Sequence, residues 1–64
     1  MEAYQERVVE EKQKLDDDID KLESFLLSGR YGTVSKNEGD RMHRQLYMMK
    51  EYSAILGERI ESFT

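Results

Sequence analysis

The sequence predicts an all-α fold: an antiparallel two-helix hairpin that assembles into a homo-oligomeric helical bundle. Apolar residues recur at helical spacing in two long segments, and one polar, glycine-containing stretch, residues 28–44, separates them. More apolar surface is available than one helix pair can cover, which predicts the oligomer. We expect one domain over residues 1–64, with helices at about 2–28 and 37–62 and a turn at about 29–36.

The first helix is predicted by an apolar series whose later members are spaced by four, three and four residues, so that they share one face. The series is Val8, Leu15, Ile19, Leu22 and Leu26. Gly29 follows, and we expect it just past the helix end because glycine takes positive φ at little cost.

The second helix is predicted by a similar series: Met42, Leu46, Met49, Leu56, Ile60 and Phe63. Ser35 and Glu38 have the spacing of a capping box, in which each side chain accepts from the other residue's backbone N–H. Asn37 with Asp40 is an alternative cap. A short connection between two long helices predicts an antiparallel pair.

Pairing Leu26 with Met42 places Lys12 and Ser53 within the apolar stripes. Three interpretations of Lys12 stay open. It extends its stem over Leu56 with the ammonium in water, it sets the helix register as a polar seam residue, or it binds phosphate at a junction between chains. Ser53 is interpreted as a small residue that permits close helix approach.

Further apolar residues widen both stripes: Val9, Phe25, Leu27, Met48, Tyr52 and Ile55. The chain has no cysteine, which excludes disulfides as the source of extra stability. A metal site is not indicated, because the acids of "LDDDID" fan out around a helix and His43 is the only histidine. No cofactor is expected. The remaining stabiliser is a second copy of the chain.

The net charge of −4 argues against duplex nucleic acid as a partner, since phosphate neutralisation needs a basic face. No apolar run reaches the ~20 residues of a membrane span, and no leader follows Met1, so we expect a cytoplasmic protein without membrane contact. No residue pair has the spacing of acid–base or nucleophilic catalysis, which predicts a non-enzyme.

Basic and aromatic residues concentrate near the predicted turn. Tyrosine stacks on nucleobases and arginine binds phosphate through a planar fork, so this group predicts a nucleotide-sized site. Its candidate ligand-binding residues are Arg30, Tyr31, Arg41, Arg44 and Tyr47, with Lys12 added from a chain junction. The alternative is a solvated turn whose arginines pair with Glu38, Asp40 or a neighbouring acidic helix.

The segments "YQERVVEEKQKLDDDIDKLESFL" and "RQLYMMKEYSAILGERIESF" resemble a group of small helical-hairpin proteins encoded by tailed bacteriophages. The layout is also similar to phage anti-CBASS sponge proteins, short helical hairpins that oligomerise and bind cyclic nucleotides at chain interfaces. No binding motif of those proteins aligns with this chain residue by residue, so the likeness to them is one of layout.

The resemblance implies an oligomeric, non-catalytic binder that sequesters a cyclic nucleotide immune signal and so counters host defence. Cyclic di- and trinucleotides are the implied ligands. The alternative hypothesis is a helical protein–protein interaction module that binds and inhibits a host protein. Its basis is the same apolar surplus, which includes Met42, Met48 and Met49, because methionine adapts to varied partners.

Overall fold

The computed structural model describes residues 1–63 and shows a helical hairpin 45 Å long and about 15 Å wide. Helix α1 covers Ala3–Leu26, a 3₁₀ helix covers Gly29–Thr33, and helix α2 covers Lys36–Glu61. Within these residues there is no strand, so the predicted all-helical hairpin is confirmed. Thr64, the last residue of the predicted domain, lies outside the described residues.

Helix α1 begins where the Gln5 side chain accepts a hydrogen bond of 2.8 Å from the backbone N–H of Glu2. It ends with backbone bonds from Leu27 N–H to the carbonyl of Glu23 and from Ser28 N–H to that of Phe25. Gly29 lies just past the helix end, as expected, but without the positive φ, which no described glycine has. The chain turns instead through a 3₁₀ helix capped by Ser28, and right-handed backbone suffices there.

Helix α2 is capped by Ser35, as its position before Glu38 predicts. The Ser35 hydroxyl accepts from the backbone N–H of Glu38 at 3.2 Å. The Glu38 carboxylate accepts from Arg41 Nε at 2.8 Å, one turn further along the helix. The Ser35 half of the predicted capping box is therefore confirmed, whereas the Glu38 side chain pairs with Arg41 instead of accepting from the Ser35 backbone N–H.

The core between the two helices is thin. Among the described hydrophobic residues, only Val8, Ile19 and Leu56 are buried, and Leu56 alone has no exposed surface. Other members of both predicted stripes are partly exposed. A core of this size stabilises a 64-residue chain weakly, which fits the expectation that the fold needs a partner.

Cross-helix contacts agree with the predicted pairing of the stripes. The rings of Tyr4 and Phe63 meet edge to face at 5.8 Å at the open end of the hairpin. Near the turn, Lys50 Nζ lies 2.6 Å from Glu23 Oε2. Between these ends, the Tyr52 hydroxyl donates a hydrogen bond to the Glu11 carboxylate, which is another side-chain contact between α1 and α2.

Candidate functional site

A row of three aromatic rings joins all three helical elements at the closed end of the hairpin. The Tyr31 ring meets the Phe25 ring of α1 at 6.4 Å and the His43 ring of α2 at 5.7 Å, both edge to face. These contacts hold the 3₁₀ helix against both long helices. The contact with Tyr31 also orients the His43 ring.

Gly39 allows the Tyr31 ring to lie directly on α2. A β-carbon at this position would come 2.5 Å from Tyr31 Oη and 3.2 Å from Cζ, so only glycine fits without movement of the ring. Tyr31, one of the predicted ligand-binding residues, is therefore held by packing. The ring is packed between two elements, because Gly39 opens a space for it that sequence spacing does not reveal.

The candidate site is a groove on α2 of about 490 Å³, lined by His43, Arg44, Tyr47 and Met48. The four residues have the spacing i, i+1, i+4 and i+5, which places them on one side of the helix. Two of them, Arg44 and Tyr47, are among the predicted ligand-binding residues. Tyr47 is 63% exposed, so most of its ring is available to a ligand.

A second, smaller depression of about 170 Å³ lies where α2 approaches α1. It is lined by Glu23, Leu26, Leu27, His43 and Leu46. His43 borders both this depression and the groove, and its surroundings here are mainly apolar. The groove thus continues past His43 onto an apolar surface beside the turn.

Arg44 supplies the positive charge of the groove. Within residues 1–63 no carboxylate lies in ion-pair distance of its guanidinium. Arg41, by contrast, is bound to Glu38 at 2.8 Å, as in the alternative interpretation of a solvated turn. Arg30 is exposed on the 3₁₀ helix, and no described contact joins it to the groove.

Lys12 lies away from the groove and belongs to a second polar cluster in the middle of the hairpin. Its ammonium donates to Ser53 Oγ at 2.8 Å and to Asp16 Oδ2 at 3.0 Å, and Ser53 Oγ donates to Asp16 Oδ1 at 2.5 Å. These hydrogen bonds, that of Ser53 first, lower the pKa of the Asp16 carboxyl below its ordinary value of 3.8. In this cluster Lys12 donates to Ser53 and Ser53 donates to Asp16, so the three side chains join α1 to α2.

The structure thus brings together two of the six predicted site residues, Arg44 and Tyr47. Sequence reasoning missed His43 and Met48 as groove residues. Their spacing relative to Arg44 and Tyr47 was the available signal, since residues one turn apart share a helix face. His43 was interpreted as an ordinary surface histidine, and Met48 as part of a widened apolar stripe.

Two other features of the described part of the chain bear on its function. No group of three or more histidine, cysteine or acidic side chains there could hold a metal ion. Neither helix has an apolar stretch of the length that would cross a membrane. The groove on α2 is therefore the feature on which a functional argument rests.

Comparison with known proteins identifies the family. The sequence model of the Sequestin family matches residues 2–62. An uncharacterized 7.5 kDa protein in the denB-rIIB intergenic region of Enterobacteria phage T4 is 41% identical over 63 residues, which is 98% of each chain. No solved structure matches the chain.

These matches cover nearly the whole chain, and the chain belongs to the Sequestin family. The predicted resemblance to small phage proteins is thereby confirmed. The family's name denotes sequestration, which fits the resemblance to sponge proteins and implies binding rather than catalysis.

Proposed function

We propose that this member of the Sequestin family is an oligomeric phage protein that sequesters a cyclic nucleotide immune signal, without catalysis, in the host cytoplasm. By lowering the free concentration of the signal, it would counter host anti-phage defence. One observation carries the proposal: the Arg44 guanidinium, unpaired within residues 1–63, shares a groove with the exposed ring of Tyr47.

This pair matches the two chemical parts of a nucleotide. A guanidinium binds phosphate oxygens through two parallel hydrogen bonds, and it stays charged at every physiological pH. An aromatic face stacks on any nucleobase, for about 1–3 kcal/mol per base. One turn of helix separates the two side chains, about 5 Å along the axis, which is within the span of one nucleotide.

The remaining groove residues fit the same ligand. Met48 offers a polarizable apolar contact to a base or sugar, and His43 can donate to a phosphate or a base edge. The groove volume of about 490 Å³ lies in the range of small-molecule sites. A cyclic dinucleotide exceeds what four side chains can enclose, so we propose that the homo-oligomer supplies the rest of its contacts.

Binding without turnover is supported by what surrounds the groove. Its lining contains His43, which could act as a base, but no carboxylate, serine or threonine that could act with it. The Ser53 hydroxyl lies in the Lys12–Asp16 cluster and is 8% exposed, so it is not presented to a ligand. A protein that only binds must be made in amounts comparable to its signal.

The direct test is titration calorimetry of the purified chain with a panel of cyclic di- and trinucleotides. We expect one member to bind, and Arg44→Ala and Tyr47→Ala each to weaken it at least about tenfold. Arg41→Ala is the matched control, because this arginine lies on the same helix but is paired with Glu38. Equal losses in all three variants, or no binding by the panel, would contradict the proposal.

Turnover is tested in the same samples. After overnight incubation, the ligand released by heating the protein should have an unchanged mass and should still activate its effector. Recovery of a linearised or hydrolysed nucleotide would show an enzyme instead.

A second candidate function is supported by the exposed apolar side chains of α2, among them Met48 and Ile55, which are 60% and 53% exposed. Such a face suits a helical module that binds and inhibits a host protein. It predicts that Ile55→Glu, which leaves the groove intact, abolishes capture of one specific host protein. Nucleotide binding with no such capture would decide against it.

A further inference from the structure

Helix α2 carries a second apolar face that α1 does not cover. Its members Met48, Tyr52 and Ile55 are 60%, 42% and 53% exposed, and they follow the steps of four and three that define a coiled-coil seam. Continued in both directions, the same steps reach Arg41 and Arg59. These residues thus form a second stripe beside the core-facing one, about 30 Å long.

The elongated chain exposes more surface than a compact monomer of its mass. The accessible surface is 5008 Å². A folded monomer of 7.6 kDa is expected to expose only about 4,300 Å². The surplus of about 700 Å² is close to the ~800 Å² that each partner buries in a standard protein interface.

We infer that this face binds a second copy of the chain, with the two α2 helices antiparallel and the two-fold axis near Tyr52. The inference rests on the homo-oligomer proposed above, but not on the ligand. Its centre is set by the apolar residues themselves, since Met48 and Ile55 lie at nearly equal distances on either side of Tyr52. An antiparallel pair therefore places Met48 of one copy beside the partner's Ile55.

Charge selects the antiparallel orientation. In the first half of α2, Lys36 and Arg41 are paired within the chain, which leaves Arg44 unmatched. The second half carries two acids, Glu51 and Glu58, and one base, Arg59, for which no ion pair is found in residues 1–63, so its unmatched charge is negative. Antiparallel packing brings Arg44 of one copy alongside the partner's Glu58, twice per dimer.

Parallel packing would instead place each charged residue beside its own copy, with Arg44 against the partner's Arg44. Like charges in register destabilise helix pairs. A charge match between helix ends needs no direct ion pair, so the Arg44 guanidinium keeps its planar fork for a phosphate in the groove. Each dimer would then present two grooves related by the two-fold axis.

The ring of Tyr52 suits the centre of such an interface. Its hydroxyl donates to Glu11 of the same chain, so the ring is held in place before association. A preorganised aromatic side chain loses little conformational entropy on binding. The polar end is already satisfied, and only the apolar ring remains to be covered.

The test uses single-cysteine variants, since the chain has no cysteine of its own. Met48→Cys, Tyr52→Cys and Ile55→Cys are oxidised at equal concentration, and disulfide dimers are quantified by mass spectrometry. A disulfide requires α-carbons within about 7 Å, so it reports the pairing directly. Asp17→Cys, exposed on the far side of α1, is the control for random collision.

We expect Tyr52→Cys to dimerise with itself at least about tenfold faster than Asp17→Cys. A mixture of Met48→Cys and Ile55→Cys should form mainly the mixed disulfide, which its mass distinguishes from either homodimer. Self-linking by Met48→Cys and Ile55→Cys, without the mixed product, would show parallel packing and overturn the inference. Equal rates in all variants would overturn it as well.

The mass of the unmodified chain in solution separates this inference from the proposals before it. A monomer at high concentration overturns both the oligomer and the interface, whatever the nucleotide panel shows. If the chain is oligomeric but its cysteine variants form disulfides at random, the proposed oligomer stands and the proposed interface is overturned.

A charge exchange provides evidence independent of cysteine chemistry. Glu58→Arg and Arg44→Glu should each weaken the dimer about tenfold, and the double variant should restore it. Far-ultraviolet circular dichroism verifies that each variant is folded. A double variant no more dimeric than the single ones would contradict the proposed orientation.

Discussion

The ammonium of Lys12 donates a 2.8 Å hydrogen bond to Ser53 Oγ, which ties α1 to α2 across 41 residues of chain. Asp16 closes the cluster by accepting from both. No buried side-chain polar atom in the described chain lacks a hydrogen-bond partner. Lys12 and Ser53 can therefore occupy the apolar stripes, because each polar side chain of the cluster forms hydrogen bonds with the others.

The first prediction concerns this tie. Lys12→Met keeps the apolar stem but removes the donor shared by Ser53 and Asp16, so we expect the free energy of unfolding to fall by about 1 kcal/mol. Urea denaturation at one fixed protein concentration measures it. Lys14→Met is the control, because Lys14 is exposed and its ammonium lies as far as 4.0 Å from the Asp18 carboxylate. Its replacement should change the free energy of unfolding by less than about 0.5 kcal/mol. Equal losses would show that the cluster contributes nothing specific.

The second prediction is a pH dependence. The hydrogen bonds from Ser53 and Lys12 lower the pKa of Asp16, so its stabilising contribution is present above the ordinary value of 3.8. That contribution is lost as the pH falls through the lowered pKa. We therefore expect wild type to exceed Asp16→Asn in stability at neutral pH, and the difference to shrink below pH 3.8.

Denaturation of both proteins at a series of pH values, down to about pH 2.5, measures that difference. Asp17→Asn, on the exposed side of α1, is the comparison. A difference between wild type and Asp16→Asn that stays constant at all pH values would mean that the carboxylate is not stabilised by the cluster.

Much of the hairpin could be predicted from sequence because its determinants are local. Leu15, Ile19 and Leu22 repeat with the helical period, and Ser35 precedes its partner by the distance a cap requires. The hydrogen bond between Lys12 and Ser53 was not predicted, because the chosen register pairs Lys12 with Leu56, and Ser53 lies about one turn earlier on α2.

What could not be predicted depends on contacts between elements. Tyr31 is packed because Gly39 lies beneath it and because Phe25 and His43 flank it, and no spacing rule connects these positions. The backbone conformation of Gly29 could not be predicted either, because the chain continues from it as a 3₁₀ helix. The groove residues His43 and Met48 share a face with Arg44, but a face becomes a groove only when neighbouring side chains are placed.

The third prediction compares two glycines of α2. A β-carbon at Gly39 would clash with Tyr31 Oη at 2.5 Å, whereas at Gly57 it would meet Lys12 Cε at 3.5 Å, an ordinary contact. Alanine is favoured over glycine in a helix by up to about 1 kcal/mol. Gly57→Ala should therefore stabilise the protein, and Gly39→Ala should destabilise it by about 1 kcal/mol through displacement of the ring.

Thermal denaturation of both variants, at matched concentration, measures the two changes in stability, which should have opposite signs. The Tyr31→Phe background provides the control, because it removes the oxygen nearest to the added methyl group. Gly39→Ala should lower the stability less in the Tyr31→Phe background than in wild type. Stabilisation by Gly39→Ala in the wild-type background would show that the Tyr31 ring is not held as described.

The last prediction separates the two tyrosines that sequence reasoning placed in one site. Tyr31 packs against Phe25 and His43, so Tyr31→Ala should lower the free energy of unfolding by about 1–2 kcal/mol. Tyr47 is 63% exposed, so Tyr47→Ala should change it by less than about 0.5 kcal/mol. Ligand binding should respond in the reverse order, because Tyr47 offers its face to the ligand while Tyr31 acts only by supporting His43.

Calorimetric titration and urea denaturation of the same two preparations measure both effects. Tyr31→Phe is the matched variant for the packed ring, since it keeps the edge-to-face contacts and should retain most of the stability and the binding. A Tyr47→Ala protein that binds normally would remove the stacking contact from the proposed site. A Tyr31→Phe protein that fails to bind would instead assign the Tyr31 hydroxyl a direct contact with the ligand.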